Sequence, residues 1–269
     1  MDIILTLLLG STLLLFWFKV PRKVIYIATG LALVLGAYAG IFSPLAVLSL
    51  LMLFITSTLF FKNKQPLFLG ILVALFCWVL SKNWIPGILS WKALSHIQLS
   101  EGSIPFNTVF NYGKAFVGIA LLLFMAPLQP INMVKGVVKY SYIVLLSLLT
   151  LQMSAFAFSY VQLDIKLPSI SLIWLAHNFF FVCMPEEALF RGFIQKQLHE
   201  KPLLALAGSA LLFGIYHAHF GPLMILYTTI AGLFYGWIWM KTQRLEASIA
   251  LHFLVNATHF FFFSYPRAL

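Results

Sequence analysis

Ten apolar runs follow one another along the chain, at residues 2–18, 24–41, 45–61, 66–81, 115–129, 141–160, 169–198, 202–219, 222–240 and 245–264. Crossing the hydrocarbon core of a bilayer takes about 20 apolar residues in a helix. Most of these runs reach or approach that length, and the one at 115–129 falls short of it. In lipid every backbone N–H and C=O must be satisfied within the segment, so runs of this kind fold as helices. Composition agrees: 62% of residues are hydrophobic, 9% are charged and the mean hydropathy is +0.98. A water-soluble domain carries about 25% charged residues. The predicted fold is all-α, a polytopic transmembrane helix bundle of about eight to ten spans.

The charges are placed as a membrane protein places them. With the N-terminus outside, the cytoplasmic connections hold Lys19, Arg22, Lys23, Lys62, Lys64, Lys135, Lys139, Lys196, Lys201, Lys241 and Arg244. The opposite side holds Lys82, Lys92, Lys114, Lys166 and Arg267. Positive residues gather on the cytoplasmic side of membrane proteins, so this bias sets the expected orientation. It also accounts for the formal charge of +10 without a nucleic-acid partner. Run 2–18 has no basic segment before it and no small-residue cleavage site after it, so it reads as a spanning helix rather than a secretory signal. The 82–114 stretch, with Trp84, Pro86, Trp91 and Pro105, reads as a loop at the membrane interface, where Trp is favoured. Cys77 and Cys183 lie inside apolar runs and read as core residues, with no disulfide or metal site implied.

Acidic residues are scarce, and only Glu186 and Glu187 lie deep in an apolar stretch. Ionisable groups in lipid are costly and therefore candidates for function. Glu187 and Arg191 stand four residues apart with the acid first, the favourable order for a helical ion pair. That reading gives this pair a structural role. It leaves Glu186 without a charged partner, a buried carboxylate suited to act as a general base. His217 follows Phe213 by four residues, and Asn256 follows His252 by four. The second spacing puts imidazole and carboxamide on one helical face, where both can donate to a developing oxyanion. Taken singly, each histidine is as well explained as polar glue between helices. His96, His177, His199, His219 and His259 have no such companions. If the chain turns at Lys201, Glu186 and His217 both stand about 22–24 Å from the turn; His252 and Asn256 stand about 12 and 18 Å from a turn at Arg244.

Glu186-Glu187-x-x-x-Arg191, Phe213-x-x-x-His217 and His252-x-x-x-Asn256, in this order, resemble the motifs of the CPBP family of CAAX proteases and bacteriocin-processing enzymes, also called Abi proteins. The resemblance covers residues 140–264 as a catalytic helix bundle, and residues 1–130 form N-terminal membrane helices to which it gives no role. It implies an intramembrane endopeptidase. Glu186 would activate water with help from His217, and His252 and Asn256 would stabilise the oxyanion. Glu187, Arg191 and Phe213 would hold the helices in place. The implied partners are membrane lipid and a peptide or protein substrate, lipidated or not, with the site opening to the cytoplasm of a bacterial inner membrane. No cofactor and no metal are expected. A zinc protease is the alternative, since Glu186, His217 and His252 are possible ligands. However, no H-E-x-x-H pair is present. Two further readings compete: a non-enzymatic immunity or scaffold protein, and a proton-coupled transporter, which would want an internal repeat that this chain lacks.

Overall fold

The computed structural model describes residues 1–63 and 67–268, so Lys64 and the start of the 66–81 run lie outside the described residues. The helices are α1 (Asp2–Leu15), α2 (Arg22–Tyr38), α3 (Pro44–Lys62), α4 (Leu67–Ser81), α5 (Tyr112–Leu122), α6 (Pro130–Lys139), α7 (Ser141–Leu148), α8 (Ser154–Ala157), α9 (Ser171–Ala176), α10 (Met184–Glu187), α11 (Pro202–Tyr216), α12 (Pro222–Thr242) and α13 (Leu245–Phe262). The chain is an all-α membrane bundle, as the apolar runs predict. Fewer helices reach full spanning length than there are runs. Among the described residues, α3, α12 and α13 are long and apolar enough, and α6 with residues 141–157 would make a fourth across a 74° bend. α1, α4, α5 and α11 are apolar but shorter. Helices stop before the apolar sequence does where the backbone demands it. Run 24–41 ends its helix at Tyr38, just ahead of Gly40 with φ at +68°, a conformation glycine adopts at no steric cost.

The 82–114 stretch is more ordered than the expected loop. It contains strands β1 (Trp91–Ile97) and β2 (Phe106–Phe110), which pair as a two-stranded sheet. β2 alternates buried and exposed residues, with Phe106, Thr108 and Phe110 inward. That period-2 pattern is the signature of a half-buried strand. Its five residues were masked by the surrounding Trp and Pro, which suggest an interface.

The chain divides into two compact units. The first comprises Met1–Lys92, Val109–Leu128 and Phe180–Leu189. Its centre is α5, buried along almost its whole length, with Lys114 the half-buried exception. Small residues let neighbours come close: a Cβ on Gly118 would lie 3.0 Å from Pro185 Cγ, so α5 and α10 touch nearly backbone to backbone. Asn111 joins α4 to α5. Its Oδ1 accepts from the Lys114 N–H at 2.9 Å as the α5 cap, and its Nδ2 donates to the Ser81 carbonyl at 2.8 Å.

The second unit comprises Ala93–Thr108, Gln129–Phe179 and Phe190–Leu269. α11 and α12 pack tightly, and a Cβ on Gly232 would meet Ala210 Cα at 3.0 Å. Trp174 stacks on Phe260 with ring centroids 4.1 Å apart, fixing α9 against α13. Glu246 in the first turn of α13 accepts the Gln129 N–H at 2.9 Å, at the N-terminus of α6. Cys77 and Cys183 are both buried, as expected of core residues.

Helical turns run from α9 through α10 with two wide π segments, His177–Cys183 and Ala188–Gln195. π turns inside helices cluster at functional sites. Pro185 has no N–H to donate to the preceding turn, which loosens the α-ladder just where one π segment gives way to α10.

Candidate active site

In the first unit, Glu186 and Glu187 lie on α10 and are 3% and 0% exposed. Lys114, in the first turn of α5, donates from Nζ to Glu186 Oε1 at 2.5 Å. This overturns the expectation that Glu186 lacks a charged partner. The sequence placed Lys114 among the charges that flank spans, but the Asn111 cap and the close α5–α10 approach turn its side chain inward onto α10. Lys82, just past α4, is half-buried nearby. Burial and then the Lys114 charge lower its pKa to about 8, with Glu186 pulling the other way. Two cations and one anion thus share this corner of the unit.

The second unit organises its polar groups around Phe213 on α11, which is buried. The His217 ring lies 4.7 Å from the Phe213 ring, and the His252 ring lies edge-on to it at 5.7 Å. One aromatic side chain thus touches both candidate histidines. His217 Nδ1 is 2.8 Å from the Phe213 carbonyl. A carbonyl only accepts, so Nδ1 carries a hydrogen, and Nε2 of a neutral ring would be the acceptor. His252 is 4% exposed and stacks on Tyr235. Asn256, one turn further along α13, donates from Nδ2 to Asn178 Oδ1 at 3.3 Å. Arg191, fully buried, donates from Nη2 to the Gly232 carbonyl at 2.9 Å and sits over the rings of Phe213 and Tyr235 at 4.7 and 5.4 Å. It stands in a π segment, where a turn takes more residues than the α-helical i,i+4 spacing assumes.

Sequence reasoning missed Lys114, Asn178 and Tyr235. Asn178 carried a weak signal as a carboxamide inside an apolar run. Lys114 and Tyr235 carried none, since a lysine at a span end and a tyrosine in a span are both ordinary. No three His, Cys, Asp or Glu side chains among the described residues gather into a group that could hold a metal.

Fold and buried groups together define a class: an all-helical integral membrane protein that buries ionisable side chains among its helices. Residues 168–258 match the family model described as type II CAAX prenyl endopeptidase, Rce1-like. This segment is thus similar to membrane proteases of the CAAX type. It takes in Glu186, Glu187, Arg191, Phe213, His217, His252 and Asn256, and leaves Lys114 outside. The chain matches no curated protein and no solved structure.

Proposed function

We propose that the chain is an intramembrane endopeptidase that hydrolyses a peptide bond of a membrane-associated or lipidated substrate with water activated by Glu186. The observation that carries this reading is the family match, because one continuous segment holds every motif residue in order. In the proposed reaction, water attacks the scissile carbonyl carbon and gives its proton to the Glu186 carboxylate. His217 accepts a hydrogen bond from the same water at Nε2, which fits the Nδ1 contact to Phe213. His252 and Asn256 donate to the oxyanion. Glu186 then passes its proton to the leaving nitrogen as the C–N bond breaks, and the site returns to its starting state. Glu187 and Arg191 brace the motif helix.

The test is a cleavage assay in proteoliposomes, with membrane peptides and prenylated C-terminal peptides as separate substrate sets. Cleavage by the wild type and none by Glu186→Gln is the expected result. If wild type and Glu186→Gln leave both sets equally intact, the chain is a binding or immunity protein that keeps the fold.

A further inference from the structure

Lys114 reaches Glu186 from outside the segment that carries the motif. It precedes Glu186 by 72 residues, in a helix the family match does not include. Both side chains are withdrawn from solvent, with 12% and 3% of their surface exposed. Removing two charges from water is costly, and replacing such a pair with apolar residues is often neutral or stabilising. A purely structural contact here is therefore poorly explained by stability alone. The lysine is also held from two directions. Its own N–H is capped by Asn111, and Asn111 is anchored on the Ser81 carbonyl. The backbone from which the lysine side chain extends is thus fixed by the first turn of α5.

A carboxylate can accept a proton from water only while it is ionised. Burial in an apolar surround opposes ionisation, and a cation in contact favours it. From this geometry, and resting on the reading of Glu186 as the base, we infer that Lys114 is a positioning residue for the water-activation step. Its ammonium holds Oε1 in place and keeps the carboxylate in its proton-accepting form. The base of this protein is then assembled from two parts, a motif helix similar to the CAAX proteases and an α5 lysine belonging to the rest of the chain. No atom of Lys114 is transferred, and the water proton still goes to Glu186 and then to the leaving nitrogen.

The experiment has two arms on the full-length protein in proteoliposomes. One follows dicyclohexylcarbodiimide, an apolar reagent that adds to protonated carboxyl groups, and reads Glu186 modification by mass spectrometry across pH. The other follows the pH profile of kcat/KM. In Lys114→Met, labelling of Glu186 should persist to higher pH by roughly one unit or more, and the acid limb of kcat/KM should move by the same amount. Below that limb the displacement reads as about a tenfold loss of rate. Lys114→Arg keeps the cation and should restore both curves. A merely structural lysine would lower the amount of folded protein and leave both curves in place. Labelling in Lys114→Met that coincides with the wild type overturns the inference, whatever the activity. Should Lys114→Met not fold, Lys114→Gln and Lys114→Arg carry the same comparison. Labelling that shifts as expected in a protein that cleaves nothing leaves the Lys114 contact standing and removes the peptidase reading, so the two failures are distinct.

Discussion

The imidazole of His252 lies flat on the ring of Tyr235, with centroids 4.6 Å apart and planes 16° from parallel. The stack is tied from both sides. Ser248, one turn before His252 on α13, donates from Oγ to the Tyr235 carbonyl at 2.8 Å, and the Arg191 guanidinium sits 5.4 Å from the tyrosine ring. The Tyr235 ring thus helps to orient His252. Tyr235→Phe keeps that ring and should cleave at near wild-type rate. Tyr235→Ala frees the imidazole, and misplacing an oxyanion donor by about 1 Å is enough to lower kcat about 100-fold. Steady-state kinetics of the two variants check this, and equal rates for both would show that the stack does not orient the donor.

Neighbouring residues on the motif helix should fail in different ways. Glu186→Gln should abolish cleavage while the protein still folds and inserts. Arg191→Leu should act on stability. It breaks the bond to the Gly232 carbonyl, and leaving that buried acceptor without its donor costs about 1–3 kcal/mol. Glu187→Gln should cost a similar amount. Thermal unfolding in detergent, run beside the cleavage assay, separates the two classes. A stable but dead Glu187→Gln beside an active Glu186→Gln would exchange their roles.

The oxyanion donors can be ranked. Asn256→Leu removes a donor outright and should cost about 100- to 1,000-fold in kcat. Asn178→Leu removes the acceptor that holds the Asn256 carboxamide at 3.3 Å and leaves the Asn256 donor itself in place. Its loss should be smaller, and KM should stay close to wild type. A drop for Asn178→Leu as large as for Asn256→Leu would mean that Asn178 itself meets the substrate.

Much of this was legible in the sequence, and what was not has physical reasons. Apolar runs announced a membrane bundle because lipid leaves helices as the available answer. The motif residues were legible because their spacings are local, within one helix each, and His217 and His252 do meet the same Phe213 ring. Lys114 was not legible. A lysine near a span end is expected to face the membrane surface, and only the Asn111 cap and the room left by Gly118 turn it inward. The π segments were equally hidden, since no local propensity distinguishes a π turn from an α turn, and they alter the i,i+4 geometry assumed for Glu187 and Arg191. Strand β2 was too short to stand out beside Trp91 and Pro105.

Lys82 offers a pH test outside the spanning helices. Its pKa in the folded protein is about 8, against 10.5 for the free side chain, because burial and then Lys114 disfavour its charge. Between those values the unfolded chain binds the proton and the folded one does not, so stability rises with pH there. Below about 8 the penalty is fully present. Lys82→Met removes it, and should raise the unfolding temperature at pH 7. The gain over wild type should shrink as pH approaches 10. A gain that is the same at both pH values would show that the substitution acts through packing.

Activity should survive exhaustive chelation. A zinc peptidase usually needs three protein ligands, a bound water and a separate base to handle the proton. The motif offers Glu186, His217 and His252 as ligands, and then no free base remains, because Glu187 is assigned to bracing the helix with Arg191. Glu186 is also a poor zinc ligand for a second reason. Its Oε1 already takes the Lys114 ammonium at 2.5 Å, and a divalent cation on the same carboxylate would be repelled by that charge at short range. His217 adds a third. Nδ1 faces the Phe213 carbonyl, so Nε2 would have to serve either the metal or the water, whereas the glutamate mechanism asks it only to orient water. With Glu186 as base and His252 and Asn256 as oxyanion donors, every group has one task. The measurement is cleavage by purified protein after treatment with a strong chelator, with metal analysis of the same sample. Activity lost on chelation and restored by zinc alone, at one zinc per chain, would return the protein to the metalloproteases and make Glu186 a ligand instead of the base.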